Sequence, residues 1–308
     1  MRKTLLIAAD VDPQLPVMAR ADGRFDVRVQ PVRSEEDLAA IVGDAAILVT
    51  RAYNKVTRRV IENAKSLELI AQATSGIDNI DDRAARKRGI TILNLPGENA
   101  NAVAELVIGY ILNLTRTIPF YTRETTAGRW PREDCATRHE MRYYRLGIVG
   151  LGQVGRRVAR LAATFGMSVD AVDPYISEAD FAEHGAQRVP SLDALLATSA
   201  IVTLHVPLTA ETRQMMGERE IGLLKKGSIL INAARGEVLD QKAALAALES
   251  NHLGGLALDV CDPEPPSSGF PDDPRLIVTP HIGGCTWECR GALGATLFRK
   301  IQEFYVNG

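Results

Sequence analysis

Three polar clusters in the last third of the sequence carry the residue types that proton and carboxylate chemistry needs. They are Asn232-Ala233-Ala234-Arg235-Gly236-Glu237, Leu258-Asp259-Val260-Cys261-Asp262-Pro263-Glu264-Pro265 and Thr279-Pro280-His281-Ile282-Gly283-Gly284. Each stands at the end of an apolar run that reads as a β-strand: Ser228–Ile231, Leu256–Val260 and Leu276–Val278. In open α/β sheets the carboxyl ends of the strands form the ligand edge, so an arginine, a carboxylate and a histidine are expected together there. That set suits hydride transfer to a 2-oxo acid. A nicotinamide carries the hydride, and the protein must supply a proton, hold a carboxylate and polarise a carbonyl. His281 is the proton candidate, since a free imidazole titrates near pH ~6.5 and both forms are reachable. Arg235 has the planar fork that grips a carboxylate through two parallel hydrogen bonds.

A nicotinamide needs a dinucleotide site, and one stretch has the pattern. Arg145-Leu146-Gly147-Ile148-Val149 is a short apolar strand running into Gly150-Leu151-Gly152-Gln153-Val154-Gly155. Behind the glycines, Val154, Val158, Leu161, Ala162 and Phe165 fall on one helical face, and Gly166 stands where a helix would stop. A second apolar run, Val169 to Val172, ends on Asp173. Gly150 permits the tight turn, Gly152 admits a pyrophosphate close to the backbone, and Gly155 lets helix and strand pack tightly. The helix start turns its N–H groups and positive dipole end to the phosphates. Asp173 suits a ribose diol and repels a 2′-phosphate, so NAD is favoured over NADP. The glycine pattern alone also occurs in methyltransferases and flavoproteins; the strand, helix, strand and acid in register point to a dinucleotide.

Residues 1 to 97 alternate short apolar runs (Leu5–Ala8, Phe25–Val29, Ile47–Val49, Leu69–Ala71, Ile90–Leu93) with stretches of helical spacing such as Ser34–Val42 and Lys55–Asn63. This predicts an α/β unit with a parallel sheet and no glycine motif of its own. Asn94 to Asn99 punctuate, with Asn99 a good N-cap. The helix expected from Asn101 to Arg116 is apolar nearly all round, so it must be buried, between two domains or two subunits. Residues 118 to 144 are polar around Trp130-Pro131 and read as an arm. A strand is expected at Ile201–Leu204, and Asp240 caps a helix reaching Glu249. Thr286 to Val306 is helical in period with no strand left to pair, and is expected to pack back on the first domain. The expected organisation is a first domain of residues 1–97 completed by 285–308, and a second of 98–284.

Composition narrows the class. With 308 residues, 46% hydrophobic and 24% charged, the chain suits a soluble protein of about two domains. A net charge of −2 gives no field to recruit nucleic acid or an acidic membrane, and no apolar run approaches a bilayer span. The basic-then-apolar start at Met1-Arg2-Lys3 is cut short by Asp10 and Asp12, so it reads as a strand rather than a signal peptide. Cys135, Cys261, Cys285 and Cys289 form no Cys-x-x-Cys, so reduced thiols, a cytoplasmic location and no metal site are expected.

Several further pieces occur in order with these motifs: Ser75-Gly76-Ile77-Asp78-Asn79-Ile80-Asp81, Asn99-Ala100 with Ala104-Glu105, Asp173-Pro174, and His205-Val206-Pro207-Leu208. Nearly end to end, the chain resembles the D-2-hydroxyacid dehydrogenase family, most closely its phosphoglycerate dehydrogenase and hydroxypyruvate/glyoxylate reductase branch. The resemblance implies two doubly wound α/β domains, a Rossmann cofactor domain inserted into a flavodoxin-like substrate domain. It implies NAD as cofactor, a small 2-hydroxy or 2-oxo acid as substrate, and a homodimer through the cofactor domains. His281 matches the acid/base histidine, Glu264 its carboxylate partner and Arg235 the arginine on the substrate carboxylate. Formate-oxidising relatives carry glutamine at the Glu264 position, so Glu264 argues against that chemistry. Asp259 matches the acceptor of the nicotinamide amide, with the backbone of Ala233 and Ala234 near the ring. Gln153 and Val154 match the pyrophosphate N–H donors, and Val206 and Pro207 line the adenosine side. Ser75 and Gly76 match a turn whose N–H groups bind the substrate carboxylate. Arg51 aligns with a substrate-facing arginine of phosphoglycerate dehydrogenases, the alternative being a solvated arginine after a strand.

The resemblance also implies hinges at Asn94–Asn99 and Gly283–Thr286 that close a cleft over the substrate. Three departures stand out. Met141-Arg142-Tyr143-Tyr144-Arg145 replaces a small, Gly-Lys-like entry to the cofactor domain. Trp287 is bulky where many relatives are polar, which would narrow the substrate pocket or serve an interface. The sequence ends at Gly308, so the regulatory C-terminal domains of longer phosphoglycerate dehydrogenases, and serine feedback through them, are not expected. An NAD(H)-sensing corepressor and a phosphite dehydrogenase share the same scaffold and stay open as alternatives.

Overall fold

The computed structural model of the chain describes residues 2–132 and 139–306. The chain divides into two compact units, Met1–Asn99 with Cys285–Gly308, and Ala100–Gly284.

In the first unit β1 (Lys3–Ile7), β2 (Phe25–Val29), β3 (Ile47–Thr50), β4 (Leu69–Gln72) and β5 (Thr91–Leu93) pair in parallel in the order β2-β1-β3-β4-β5. This is the flavodoxin-like order, with its switch point between β1 and β3. The five apolar runs read from the sequence are these strands, each end within two residues of the expected one. Leu6, Leu48 and Ile70 face a core with Leu38, Val60 and Ile61 from the helices Glu35–Ile41 and Arg58–Asn63. Ser34 and Asp81 each accept an N–H three residues on, from Asp37 and Ala84, and such caps contribute about 1 kcal/mol each. The helix Trp287–Val306 completes this unit, burying Leu293, Leu297, Phe298 and Ile301. Phe298 meets Phe25 edge-on at 6.4 Å, and Gln302 Nε2 donates to Asp22 Oδ2 at 2.7 Å. A Cβ added at Gly294 would lie 2.8 Å from Asp12 Cβ, so glycine lets this helix lie on the loop after β1.

The second unit holds β6 (Arg145–Val149), β7 (Ser168–Val172), β8 (Gln187–Arg188), β9 (Ile201–Leu204), β10 (Ser228–Asn232), β11 (Leu253–Leu258) and β12 (Leu276–Val278). They pair in parallel in the order β12-β11-β10-β9-β6-β7-β8. Counted from β6 this is the Rossmann order with one strand added, and the switch point lies between β6 and β9. Successive strand residues serve opposite faces. Ile148, Ile201, Ile229 and Ile231 enter one core, while Val149, Val202, Leu204 and Leu230 enter the other.

The helix Ala100–Thr115 is buried, as its composition requires, but inside this unit. Its Val103, Val107 and Ile111 share a core with Val158 and Ala162 of the helix Gln153–Thr164. Phe165, expected on the packed face of that second helix, is the C-cap residue and is 43% exposed. The stretch read as an arm begins with a helix, Ile118–Thr126, that buries no residue. Cys135, with the rest of residues 133–138, lies outside the described residues. β11 starts at Leu253, three residues before the run expected from the sequence, because Gly254 and Gly255 disguise it. A Cβ at Gly254 would lie 2.4 Å from the Gly227 carbonyl oxygen, so the strand needs glycine to pass there. Among the described residues no single helix is long and apolar enough to cross a membrane.

Candidate active site

In the second unit the glycine turn leaves β6 at the switch point. Gly150 has φ +89°, a conformation that L side chains rarely adopt, and a Cβ there would meet the His205 carbonyl and Val206 Cγ1 at 2.9 Å. Gly155 is tighter still: a Cβ would lie 2.2 Å from the Gly150 carbonyl oxygen. Gly152 is the N-cap of the helix Gln153–Thr164 and has open space where a Cβ would stand. The first intrahelical bond runs from Arg156 N to Gly152 O, so the N–H groups of Gln153, Val154 and Gly155 precede the helix's own bonding. A twelve-residue helix with an unhindered glycine cap and three leading N–H groups fits a pyrophosphate.

Asp173 follows β7 and reaches back to the glycine turn. Its Oδ2 accepts from Leu151 N and its Oδ1 from Tyr175 N, each at 2.9 Å. A carboxylate has about four acceptor positions, so a ribose diol can still be held here. Val206 and Pro207 follow β9 on the other side of the turn, where His205 N donates to Val149 O at 2.8 Å. Enclosure by protein pushes the His205 imidazole down to about 3, so it stays neutral and pairs with Thr203 Oγ1. Arg156, which the sequence reading did not single out, also secures the turn, donating from Nε to Leu151 O at 3.0 Å.

The three clusters lie at the carboxyl ends of β10, β11 and β12, three adjacent strands. Asn232, fully buried, shapes the first: its carboxamide accepts from Ala234 N at 3.1 Å and donates to Arg235 O at 2.9 Å. Arg235 Nη1 donates to Ala234 O at 2.7 Å. A Cβ at Gly236 would lie 2.1 Å from Cys261 O, so glycine brings the Arg235 loop against the loop that carries Glu264. His281 Nδ1 meets Glu264 Oε2 at 2.9 Å and Oε1 at 3.1 Å. Both side chains are near 40% exposed, at 38% and 42%. His281 itself has φ +55°, in the left-handed region that non-glycine residues seldom occupy. Asp259 is buried beneath this loop: Oδ1 accepts from Ile282 N and Oδ2 from Gly283 N, each at 2.8 Å. Burial first, then the Glu264 and Asp262 carboxylates, push the Cys261 thiol up, so it offers no competing nucleophile.

In the first unit the substrate candidates stand at the carboxyl edge, held by buried amides. Gln72 Nε2 donates to Gly76 O at 3.1 Å and to Asn79 Oδ1 at 2.8 Å, while Ser75 Oγ contacts Asn99 Oδ1 at 2.9 Å. Asn79 Nδ2 donates to Arg51 O, and Arg51 N donates to Asn54 Oδ1 at 2.9 Å. Arg51 Nη1 reaches Asp10 O at 3.2 Å, and Arg33 Nη2 reaches Asp10 Oδ2 at the same distance. Two guanidiniums thus flank the β1/β3 switch point. Gln72 and Asn54, which organise this edge, were not singled out from the sequence; a polar residue ending or following an apolar strand was the available signal. Trp287 is 82% exposed. Asp180, Glu183 and His184 form a cluster of metal-ligand type, but Arg156 lies 3.3 Å from Asp180 and Arg160 2.9 Å from His184 Nδ1, so guanidiniums hold the place of a cation.

Residues 108–283 match the model of the D-isomer specific 2-hydroxyacid dehydrogenase NAD binding domain. The D-3-phosphoglycerate dehydrogenase of Methanocaldococcus jannaschii is 38% identical over 283 residues, covering 90% of this chain and 53% of that protein. The chain thus spans about half the length of the phosphoglycerate dehydrogenases it matches. The hydroxypyruvate reductase of Thermotoga maritima is 35% identical over 271 residues, 87% of each chain. Among solved structures, Aquifex aeolicus D-lactate dehydrogenase in complex with NAD and lactic acid superposes with a TM-score of 0.90 at 26% identity, covering 99% of this chain and 96% of that one.

Proposed function

Since the chain belongs to the D-isomer specific 2-hydroxyacid dehydrogenase family and carries its NAD-binding domain, we propose that it interconverts a small D-2-hydroxy acid and its 2-oxo acid. The observation that carries this reading is the His281–Glu264 pair, 2.9 Å apart at the carboxyl edge of a sheet whose switch point holds the glycine turn. NAD(H), when bound, supplies or accepts the hydride at the substrate's C2. Glu264 holds Nδ1 of His281, so the proton passes through Nε2. In reduction His281 gives that proton to the carbonyl oxygen, and in oxidation it takes the proton from the hydroxyl. Glu264 orients the ring through its contact with Nδ1. Arg235 pairs with the substrate carboxylate and polarises the carbonyl.

The cofactor end follows the same logic. Gln153, Val154 and Gly155 offer N–H groups to the pyrophosphate, Asp173 takes the ribose, Val206 and Pro207 flank the adenosine, and Asp259 with the Ala233–Ala234 backbone attends the nicotinamide. For the substrate, the Ser75-Gly76 turn supplies N–H groups to a carboxylate. Arg51, with Arg33 beside it, favours an acid bearing a further phosphate or hydroxyl group, as in 3-phosphoglycerate or hydroxypyruvate, with glyoxylate the smaller alternative. We place this activity in a cytoplasmic homodimer, and a monomer-sized particle in light scattering would remove the dimer.

The test is NADH oxidation against glyoxylate, hydroxypyruvate, 3-phosphohydroxypyruvate and pyruvate, with NADPH and a His281→Asn variant alongside. Activity with NADH that is lost in the variant supports the reading and identifies the acid. Tight NADH binding without turnover of any acid would overturn it for this class of substrate.

A further inference from the structure

His281 sits in a backbone conformation that costs free energy, so something around it must hold it there. The holding group is Asp259. Its carboxylate takes the N–H groups of the two residues after His281, and its carbonyl takes the N–H of His281 itself at 2.8 Å. The His281 N–H is shared with Thr279 O at 2.9 Å. A Cβ at Gly283 would lie 2.9 Å from Asp259 Oδ2, so the loop is drawn tight against the carboxylate.

Asp259 is in turn held from below. Thr279 Oγ1 donates to Asp259 Oδ1 at 2.6 Å, and the hydroxyl of Tyr110 contacts Thr279 Oγ1 and lies 3.5 Å from Asp259 Oδ1. A threonine hydroxyl has one proton, and here the carboxylate takes it. Tyr110 must therefore donate to Thr279, so the threonine hydroxyl and the loop N–H groups converge as donors on the Asp259 carboxylate. Tyr110 and Asp259 are 3% and 2% exposed, so both ends of the run are shielded from water, with Thr279 half-buried between them. Burial pushes the Tyr110 phenol above its ordinary range, which keeps it a donor.

We infer that Tyr110, on the long apolar helix, is a positioning residue that acts through Thr279 and Asp259 to fix the loop conformation that presents His281. The inference rests on the reading of His281 as acid and base. Hydrogen bonds in series polarise one another, so the run from phenol through threonine to carboxylate is stiffer than its separate bonds and fixes the acceptor that the loop N–H groups share. The helix Ala100–Thr115 thereby has a part in the chemistry as well as in the core.

The test compares Tyr110→Phe, Thr279→Val and Thr279→Ser with the unaltered protein and with His281→Asn. Single-turnover reduction with NADH should slow on the order of ten-fold in Tyr110→Phe and Thr279→Val, since small misplacements of catalytic groups are costly. Dissociation constants for NADH should move by less than the rate, since Asp259 also attends the nicotinamide, and Thr279→Ser, which keeps the hydroxyl, should retain the rate. Amide hydrogen exchange at Ile282 and Gly283 should quicken in the two slow variants, a readout independent of turnover. Unchanged rates and unchanged exchange in Tyr110→Phe, with His281→Asn inactive, would overturn the inference and leave the proposed function standing. A weakened NADH dissociation constant with unaltered exchange would also overturn it, placing Tyr110 with the cofactor. Full activity in His281→Asn would overturn the acid/base reading and the inference with it.

Discussion

Two glycines of the turn after β6, Gly155 and Gly152, should fail in different ways when each becomes alanine. Gly155 is the sterically forbidden one. Its Cβ would stand 2.2 Å from a backbone oxygen, that of Gly150, whereas carbon and carbonyl oxygen rest about 3.3 Å apart. The helix start must then retreat by about 1 Å from β6, because neither atom is on a side chain that can rotate away. Overpacking of this kind costs ~1–3 kcal/mol, or a fall in Tm of ~2–12 °C for a unit of this size. Gly152 is the opposite case. Its φ is −73° and its Cβ would meet nothing within 4 Å. Gly152→Ala should therefore cost only the difference between glycine and alanine at an N-cap, below ~1 kcal/mol. Its loss should appear on the ligand, where a methyl group displaces the pyrophosphate from the N–H groups. One charge-assisted hydrogen bond is worth ~1.5–3 kcal/mol, so NADH affinity should fall about 10- to 100-fold. Thermal unfolding and NADH fluorescence titration on the same preparations separate the two effects. If Gly152→Ala binds NADH as tightly as the parent, or Gly155→Ala melts with it, the assignment of roles to this turn is wrong.

Asp173→Ala should bind NADH about ten-fold more weakly and narrow the preference for NADH over NADPH, through loss of charge and of the carboxylate that accepts from Leu151 and Tyr175; paired titrations showing an unaltered ratio would count against Asp173 as the discriminator. Glu264→Gln keeps the shape but not the charge beside His281, so reduction should slow about 10²-fold at unchanged NADH affinity, and stopped-flow rates equal to the parent's would remove Glu264 from the mechanism. Asp22 joins Arg24 and Gln302, and the Arg24 hydrogen bond holds its carboxyl down to about 2 from 3.8. A depressed carboxyl stabilises the fold above its unfolded pKa and loses that stabilisation as pH falls through the folded one. The full drop is worth ~2.4 kcal/mol. Arg24 is 42% exposed, and solvent screening brings the expected cost of Asp22→Asn at neutral pH to about 1 kcal/mol. Urea unfolding should show that difference vanishing towards pH 2; a gap that persists there would refute the linkage.

What could be read from residues alone followed how local the signal was. Strands buried on both faces announce themselves as continuous apolar runs, so the central strands of both sheets were legible, as was the glycine turn. Helices of six or seven residues, such as Glu178–Glu183, Leu192–Thr198 and Glu218–Leu223, span fewer than two turns and show no period. Their signals were the caps, Ser177 with Asp180 and Ser191. The two-residue strand β8 is too short to carry any pattern. At the site, Arg235, Glu264 and His281 stood out because motifs surround them. Tyr110 could not, since its partners lie 149 and 169 residues further along the chain. Asn54 does its work by bonding the Ala8 and Val32 carbonyls, which only the fold brings near, whereas Asn232 and Gln72 bond the loops that directly follow them.

The discontinuity of the first unit bears on how the chain is made. Residues 100–284 are contiguous and can acquire their core as they emerge from the ribosome. The N-terminal residues can close one core among themselves but not the face that the last helix covers. Phe25, Asp22 and Asp12 wait for Phe298, Gln302 and Gly294, some 270 to 280 residues later. Until then the face of the first sheet that Trp287–Val306 covers is exposed apolar surface. The first part of this chain to be synthesised is thus the last to be finished, and the nascent chain's vulnerable interval is the translation of everything between.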